Sequence, residues 1–558
     1  MNELTSERRR RLTHRALPAL GGLAGVALLA GALVGSSATS AAERTAADFT
    51  EAWQRGDYRG MHALLSDDAQ QAFPLERFRA RYRRAADTAT QTAVHVEEPN
   101  GERDDQMVVP VVVATRVFGR QAGELLVPVT EERVDWKPRL VFPELRAGER
   151  LTRRSVAPER GTLLSRNRRV LAKGPAGART SLVGIADSIA GSMEPEETAE
   201  EREGLYALGF PRDQPVGQSG LEEAFEDRLR GRPGGELRAG RRVLARARPR
   251  QAEPVRTSIS PRVQEAAVVG LAGRFGGIAA LDPTNGEILA LAGIAFSAPQ
   301  PPGSTFKIVT TTAALEEGLV KPTTDFPVES HALIDGVELE NANGEFCGGS
   351  FRESFAHSCN SVFAPLGVEV GSEKLVETAE RFGWNAEATI PGEVPSTLPP
   401  ANEIKTPLEI GSSAIGQFKT LAPPLQLASV AQVIAADGVR YLPTLAAGEG
   451  ERGRRVTSKQ VADTITSLMV DVVGYGTGTL SAIGGVKVAG KTGTAELEDT
   501  RGPDAEASDP SNTDAWFTAF APAARPRIAV GVMFVRAGAG GSTAAPAAKV
   551  VLEEGLKR

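Results

Sequence analysis

The sequence predicts a multidomain α+β protein whose C-terminal part is an antiparallel sheet flanked by helices. Two apolar segments, 278–281 and 287–292, flank the turn Asp282-Pro283-Thr284-Asn285-Gly286, and Asn-Gly between such segments is a strong β-hairpin signal. Helical patterns fill the middle of this part and strand patterns return at its end. Such a sheet is expected to pair its first strand with its last. The predicted helices are 304–317, 351–370, 373–382 and 424–436, and the later strands are 486–489, 516–521 and 528–535.

Composition places the chain among ordinary folded proteins. Its 558 residues allow about three domains, and 41% hydrophobic with 24% charged residues is the mix of a globular protein. The net charge of −6 gives no sign of a nucleic-acid partner. The 2 cysteines and 5 histidines include no pair at the C-x-x-C or H-E-x-x-H spacing of a zinc site, so no metal is expected.

The N-terminus carries the pattern of a membrane anchor. Arginines at 8–11 and 15 precede an uncharged stretch, 16–42, whose apolar core runs from Leu17 to Gly35. This core is close to the ~20 apolar residues that cross a bilayer. Arginines on its N-terminal side predict a cytoplasmic N-terminus and an extracytoplasmic remainder. The alternative is a cleaved signal peptide, because residues 38–42 are small enough for a cleavage site.

Export affects how the two cysteines are interpreted. Cys347 and Cys359 lie 12 positions apart in the part expected outside the cytoplasm, where disulfides persist. Spacing does not fix geometry, so a disulfide and two unrelated buried thiols both stay open.

Three regions follow the predicted tail and anchor at 1–42. Residues 43–150 form a small α+β unit, with helices expected at 46–65 and 75–86 and strands at 91–96, 107–115 and 124–129. Residues 151–257 are rich in Arg, Gly and Pro, which indicates extended strands and loops of a pedestal-like module with a poor core of its own. Residues 258–558 contain the chemistry-bearing motifs.

The first motif is Pro301-Pro302-Gly303-Ser304-Thr305-Phe306-Lys307. A helix that starts at Ser304 would put its hydroxyl and the Lys307 amine on one face. A serine hydroxyl needs a neighbouring base to become a nucleophile, and a buried lysine can be that base. Alone, the motif occurs by chance and is equally consistent with an ordinary capped helix.

Two further motifs follow in order. Ser358-Cys359-Asn360 begins 54 positions after Ser304, and Lys491-Thr492-Gly493-Thr494 begins 133 positions after Ser358. The last follows a strand pattern at 486–490. A strand lysine can present positive charge to an anionic substrate, and Gly493 would let a substrate backbone lie along the strand edge. Taken singly, the second motif is equally consistent with a polar helix–loop junction, and the third with a glycine bulge.

The three motifs in this order resemble the S-x-x-K, S-x-N and K-T-G set of the serine penicillin-recognising enzymes. The chain most resembles the class B penicillin-binding proteins, the D,D-transpeptidases that cross-link peptidoglycan. Segments 158–167, 218–222 and 229–234 are similar to the family's pedestal. Region 43–150 resembles the NTF2-like extension of a subgroup related to the methicillin-resistance type. The resemblance implies a penicillin-binding, serine β-lactamase-like transpeptidase domain at 258–558.

The resemblance also implies how the proton moves. Ser304 would attack the D-Ala–D-Ala carbonyl of a stem peptide while Lys307 takes its proton. Ser358 would then relay a proton to the departing D-Ala, assisted by Lys491. An amine of a neighbouring stem would release the acyl group, without metal or cofactor.

Substrate binding is implied by the same resemblance. Asn360 would hold the substrate amide, and Thr492 and Thr494 would bind the terminal carboxylate beside Gly493. The backbone N–H groups of Ser304 and Thr494 would form the oxyanion hole. Implied partners are peptidoglycan stem peptides, β-lactams as covalent ligands and the membrane, and a membrane glycan polymerase stays open.

Three alternatives remain at this point. A class A β-lactamase uses a Glu in an E-x-x-x-N segment after the second motif, and none follows Asn360. A D,D-carboxypeptidase differs only in the acceptor. A non-catalytic wall-binding scaffold or β-lactam sensor would not require all three motifs intact, and a sensor would need a larger cytoplasmic domain than the predicted tail.

Overall fold

The computed structural model describes residues 40–181, 188–497 and 510–557. The predicted anchor at 16–42 lies almost wholly outside these residues, and no helix within them is long and apolar enough to span a bilayer. The chain falls into two compact units. The smaller comprises residues up to 78 with 96–111 and 124–140, and the larger comprises 79–95, 112–123 and everything from 141 onwards. The predicted boundaries after residues 42, 150 and 257 stay predictions.

Within residues 40–150, which the structure describes, there are four helices and six strands. These are α1 (Ala41–Arg55), α2 (Tyr58–Ala63), α3 (Asp67–Ala72), α4 (Leu75–Ala89), β1 (Gln91–Val96), β2 (Glu102–Arg103), β3 (Gln106–Thr115), β4 (Gly119–Val127), β5 (Val129–Thr130) and β6 (Arg133–Val134). The predicted helix 46–65 is wrong as a single element, because Gly56 adopts φ 72° and ends α1 in a left-handed cap. In the smaller unit, the Trp136 ring packs edge-on against Phe73 and Phe78, at 4.7 and 5.1 Å between ring centroids.

Residues 151–257 are mostly short strands, as expected. They form β7 (Leu151–Val156), β8 (Leu163–Leu164), β9 (Val170–Lys173), β10 (Thr180–Ser181), β11 (Met193–Pro195), α5 (Ala199–Leu208), β12 (Pro215–Gly217), α6 (Gly220–Ala224), α7 (Glu226–Leu229), β13 (Gly234–Ala239), β14 (Arg242–Ala247) and β15 (Val255–Arg256). Leu163 and Leu229 share one hydrophobic cluster with Leu281 and Ile288 of the next region. The module therefore completes its core with residues of the C-terminal part.

The C-terminal part contains the remaining elements. They are α8 (Pro261–Leu271), β16 (Gly276–Leu281), β17 (Ile288–Gly293), α9 (Lys307–Glu316), β18 (Asp325–Glu329), β19 (His331–Ile334), β20 (Val337–Glu340), β21 (Cys347–Ser350), α10 (Phe351–Ala356), α11 (Asn360–Val370), α12 (Ser372–Phe382), α13 (Pro407–Ala414), α14 (Pro424–Ala435), β22 (Val439–Arg440), β23 (Arg454–Arg455), α15 (Lys459–Gly474), β24 (Ala489–Glu496), β25 (Thr513–Ala521), β26 (Ile528–Phe534) and α16 (Gly540–Leu556).

A five-stranded antiparallel sheet in the order β17-β16-β26-β25-β24 organises this part. The predicted hairpin is β16–β17, and β16 pairs with β26 with Ile278 opposite Val532. The pairing of the sheet's first and last strands is therefore confirmed. Every residue of β26 is buried, because α16 packs against this strand and so does α14.

Three predicted elements differ in detail. The helix expected at 304–317 begins as a 3₁₀ turn, Gly303–Phe306, before α9. The helix expected at 351–370 is two helices, α10 and α11, separated by residues 357–359. The strand expected at 486–489 begins only at Ala489 and continues to Glu496, so the third motif lies on the strand itself.

Gly531 of β26 lies where the backbone of α14 packs closely on the sheet. A Cβ atom at this position would lie 2.1 Å from the carbonyl oxygen of Pro424 on α14. We expect Gly531→Ala to cost about 1–3 kcal/mol, because the backbone cannot move aside cheaply. The readout is the midpoint of thermal unfolding, which should fall by about 2–4 °C per kcal/mol.

Gly474→Ala is the matched control. Gly474 ends α15 and a Cβ there would meet nothing within 4 Å. We expect no loss of stability from it. Equal midpoints for the two variants would contradict the close approach of α14 to β26.

Candidate active site

The Ser304 turn is packed tightly between two neighbouring segments. Gly303 has φ +52° and its N–H donates to the carbonyl of Gly416 at 2.9 Å. A Cβ on Gly303 would lie 2.7 Å from the carbonyl oxygen of Thr494 on β24. Ser304 itself is half-buried. The turn therefore sets the half-buried serine against the strand that carries the third motif.

Gly493 has a different role from the expected one. A Cβ at this position would lie 2.8 Å from the carbonyl oxygen of Pro302 and 2.9 Å from the Trp516 side chain. The missing side chain thus admits the Ser304 turn itself, whereas the sequence suggested room for a substrate backbone. The first and third motifs can touch only because glycine occupies both contact positions.

Lys307 connects the first motif to the second. Its side chain is fully buried. Its Nζ atom donates to the carbonyl oxygen of Ser358 at 2.7 Å, to Ser358 Oγ at 3.3 Å and to Asn360 Oδ1 at 2.7 Å. None of these partners is Ser304, which the helical spacing had suggested. Two amide oxygens at short distance hold the amine.

Lys491 connects the third motif to the second. It lies on β24, opposite Thr518 of β25, and its side chain is fully buried. Its Nζ atom donates to Ser358 Oγ at 2.8 Å and to the carbonyl oxygen of Thr492 at 3.1 Å. Both motif lysines therefore meet at one serine hydroxyl.

Burial dominates the electrostatics of the two lysines. It holds the pKa of Lys307 well below its ordinary value of 10.5, and the nearby charge of Lys491 lowers the pKa further. Burial lowers the pKa of Lys491 to about 7. The faces of Phe363 and Phe355 lie 5.1 and 5.7 Å from the two Nζ atoms. Such rings stabilise a cation only modestly, so burial favours the neutral form of each amine, the form suited to general-base chemistry.

The loop of the second motif is held in an unusual conformation. Ser358 adopts φ +62°, a left-handed conformation that costs energy for a residue with a side chain. The next residue, Cys359, donates its N–H to Ser354 at 3.0 Å. A disulfide joins Cys359 to Cys347 on β21, with Cα atoms 5.4 Å apart. This conformation is what interrupts the helix predicted through 351–370.

Asn360 is occupied at both ends of its side chain. Its Oδ1 accepts from Lys307, and its Nδ2 donates to the carbonyl of Glu340 on β20 at 2.7 Å. Asn341, the residue after Glu340, accepts the N–H of Ser361 with its side-chain oxygen at 2.9 Å. The β18–β21 segment thus supports the second motif from outside the three motifs, which the sequence did not indicate.

Thr492 and Thr494 lie near the N-terminus of α16. Thr492 Oγ1 is 2.5 Å from Thr477 Oγ1, and Thr494 Oγ1 accepts the N–H of Gly540 at 3.4 Å. Sequence reasoning missed Thr477. Its only signal is its place in Tyr475-Gly476-Thr477-Gly478, a glycine-bounded turn that follows a long helix.

Known proteins resemble both ends of the chain. A model of the penicillin binding protein transpeptidase domain matches residues 276–553, and one of the NTF2-like N-terminal transpeptidase domain matches 41–149. The chain is 33% identical over 420 residues to the peptidoglycan D,D-transpeptidase PbpA of Mycolicibacterium smegmatis, covering 63% of this chain and 82% of that protein. The chain belongs to the penicillin-binding transpeptidase family. Both the transpeptidase fold and the NTF2-like domain predicted from the sequence are confirmed.

Solved structures agree with this family assignment. The D,D-transpeptidase domain of a peptidoglycan glycosyltransferase from Eggerthella lenta is 28% identical with a TM-score of 0.58, and the match covers 72% of this chain and 99% of that one. Penicillin-binding protein A from M. tuberculosis, as its ceftriaxone acyl-enzyme, is 25% identical with a TM-score of 0.58 over the same shares. The chain is therefore a class B penicillin-binding protein with an NTF2-like N-terminal domain, as the sequence predicted.

The depressed pKa of Lys491 predicts a pH dependence of stability. The pKa is about 7 in the folded protein, against an ordinary 10.5, so between these values the unfolded chain binds one proton more. Stability then rises with pH by up to about 1.4 kcal/mol per unit, and the contribution is constant below about pH 7. The unfolding free energy of the wild type relative to Lys491→Met should rise from pH 7 to 9 in urea titrations.

Lys487→Met serves as the matched control, because Lys487 is exposed just before the same strand. The difference in unfolding free energy between Lys487→Met and the wild type should stay constant from pH 7 to 9. If the difference in unfolding free energy between Lys491→Met and the wild type is equally constant, the pKa of Lys491 is not lowered by burial.

Proposed function

We propose that this protein is a peptidoglycan D,D-transpeptidase that cross-links stem peptides through an acyl-enzyme at Ser304 and is acylated by β-lactams. One observation carries the proposal. Two fully buried lysines, Lys307 and Lys491, converge on the Ser358 hydroxyl beside the Ser304 turn. A structural role would not need two buried amines, since burying unpaired charge is costly.

Acylation begins with removal of the Ser304 proton. A neutral Lys307 has two N–H groups, and the two oxygens at 2.7 Å, those of Ser358 and Asn360, accept both. The nitrogen lone pair is then free to accept a proton. The lowered pKa of Lys307 favours this neutral form. The Ser304 oxygen attacks the penultimate D-Ala carbonyl, and Lys307 takes the proton.

The leaving D-Ala needs a proton at its nitrogen. Ser358 Oγ stands between the two amines, 3.3 Å from Lys307 and 2.8 Å from Lys491. It can pass its own proton to the leaving amine and recover one from Lys307. Lys491 donates to the same oxygen and, with a pKa of about 7, remains partly cationic at neutral pH.

Substrate binding uses the edge strand β24. The carboxylate of the terminal D-Ala is held by the hydroxyls of Thr492 and Thr494, and the N–H groups of Ser304 and Thr494 stabilise the oxyanion. Asn360 lies beside the amide of the donor stem. An amine of a neighbouring stem then attacks the acyl-enzyme carbonyl and the bond to the Ser304 oxygen breaks. The proton lost by the amine returns to that oxygen, which completes the cross-link without metal or cofactor.

A labelling experiment tests the nucleophile. A fluorescent penicillin should label the wild type covalently, and Ser304→Ala should reduce labelling by at least about 10³-fold, because the attacking oxygen is gone. Ser361→Ala is the control, since Ser361 lies near the second motif and bonds to Cys347. Labelling that survives Ser304→Ala would exclude Ser304 as the acylated residue.

Product analysis then distinguishes the acceptor. With a stem-peptide donor and an amine acceptor, we expect a cross-linked dimer together with released D-Ala. Release of D-Ala without dimer would identify a carboxypeptidase instead.

We further propose that residues 1–42 are a single-pass anchor that places the catalytic region outside the cytoplasm. The arginines before the apolar stretch support this topology, and so does the Cys347–Cys359 disulfide, a bond that persists in oxidising compartments. A membrane glycan polymerase would supply the strands to be cross-linked.

Truncation tests the anchor. The full chain should sediment with membranes and resist extraction by high salt, whereas a chain that begins at Ser40 and carries a cleavable export signal should be released. If expression of the full chain instead yields soluble protein whose N-terminus has been cleaved near residues 38–42, the segment is a signal peptide.

A further inference from the structure

A turn outside the three motifs contacts the strand that carries the third one. Thr477 follows α15 and brings its Oγ1 to 2.5 Å from Thr492 Oγ1. Thr477 is exposed, whereas Thr492 is 5% exposed. A separation of 2.5 Å between two hydroxyl oxygens is a short hydrogen bond, in which one of the two must donate.

The backbone of this turn is fixed from two sides. The Thr477 N–H donates to the carbonyl of Ala356 at 3.1 Å, two residues before Ser358. A Cβ at Gly476 would lie 2.3 Å from that same oxygen, and one at Gly541 on α16 would lie 2.3 Å from the Thr477 carbonyl. The position of Thr477 is therefore set by the end of α10 and the start of α16.

The Thr477 hydroxyl has two acceptors within reach. Thr477 Oγ1 could instead donate to the Ala356 carbonyl, but that distance is 3.4 Å. Either hydroxyl can donate across the 2.5 Å contact, and this short contact is a better site for the Thr477 hydrogen than the 3.4 Å one. With Thr477 as the donor, Thr492 Oγ1 has its acceptor side occupied and its own hydrogen free. In the same way, Thr494 Oγ1 accepts the N–H of Gly540 at 3.4 Å.

We propose that Thr477 is a positioning residue that turns the Thr492 hydroxyl into a hydrogen-bond donor aimed at the substrate carboxylate. The inference rests on the proposed function, because it presumes that Thr492 binds this carboxylate. An anion accepts hydrogen bonds and donates none. A threonine hydroxyl that is free to rotate would spend part of its time presenting a lone pair to the carboxylate, and the bond from Thr477 removes this orientation.

The test measures discrimination between a carboxylate and its ester. Benzylpenicillin and its methyl ester each acylate Ser304. The ratio of the acid's acylation rate to the ester's measures how well the protein recognises the carboxylate. We expect Thr477→Val to lower this ratio about tenfold, chiefly by slowing acylation by benzylpenicillin. The same variant should raise KM for a D-Ala–D-Ala donor more than it lowers kcat. Thr477→Ser should restore the ratio, because it restores the donor.

Two further variants separate positioning of Thr492 from other roles of Thr477. Thr464→Val is the control, since Thr464 on α15 donates to Gln460 of its own helix, and its ratio should equal that of the wild type. In a Thr492→Val background, Thr477→Val should have no further effect on the ratio. A further effect there would mean that Thr477 touches the carboxylate directly, and an equal loss for acid and ester would mean a merely structural role; each would overturn the proposal.

Failure of the proposed function is distinguishable from these outcomes. In that case the wild type itself would not be acylated at Ser304, and no ratio could be measured for any variant. A wild type that is acylated, with an unchanged ratio in Thr477→Val, would overturn the role of Thr477 alone.

Discussion

The burial of two lysines against one serine hydroxyl is the constraint on which the rest of the site depends. An ammonium taken out of water carries a large desolvation cost, which proteins meet by lowering the pKa so that the group becomes neutral. Lys307 and Lys491 are both fully buried, and the pKa of each is lowered. A neutral amine still needs partners for its N–H groups. Apart from the Thr492 carbonyl, those partners belong to Ser358 and Asn360, so the shape of this segment decides whether both lysines can stay buried.

Close backbone contacts hold this arrangement in place. Gly303, Gly493 and Gly416 allow segments from three parts of the sequence to approach within distances that no Cβ atom would permit. Gly531 does the same beneath α14. These contacts cannot relax by rotating a side chain, because backbone faces backbone. The site is therefore held by shape as much as by hydrogen bonds, and it can present reactive groups in fixed positions without help from substrate.

Local sequence signals predicted the features that depend on local chemistry. The Asn285-Gly286 turn identified the β16–β17 hairpin, and the order of the motifs placed Ser304, Ser358 and Lys491 in one fold. Other features depend on partners distant in the chain. Residues 351–370 are apolar enough to continue as a helix, so nothing local showed that Ser358 would adopt φ +62°. The partners of Lys307 differed for a related reason: two amide oxygens from a distant loop compete with the hydroxyl three residues away. Thr477 has no motif at all and becomes visible only where α15 ends beside β24.

The disulfide between Cys347 and Cys359 has a consequence for biogenesis. It ties β21 to the residue between Ser358 and Asn360, so the second motif gains its covalent brace only where thiols are oxidised. In the proposed topology that compartment is also where the wall polymer lies. A chain still in the cytoplasm would carry all three motifs without the brace, and its catalytic centre would mature after translocation. Recombinant production in a reducing cytosol would yield this immature form, which makes the oxidation state of the two cysteines a quality criterion for any preparation of the enzyme.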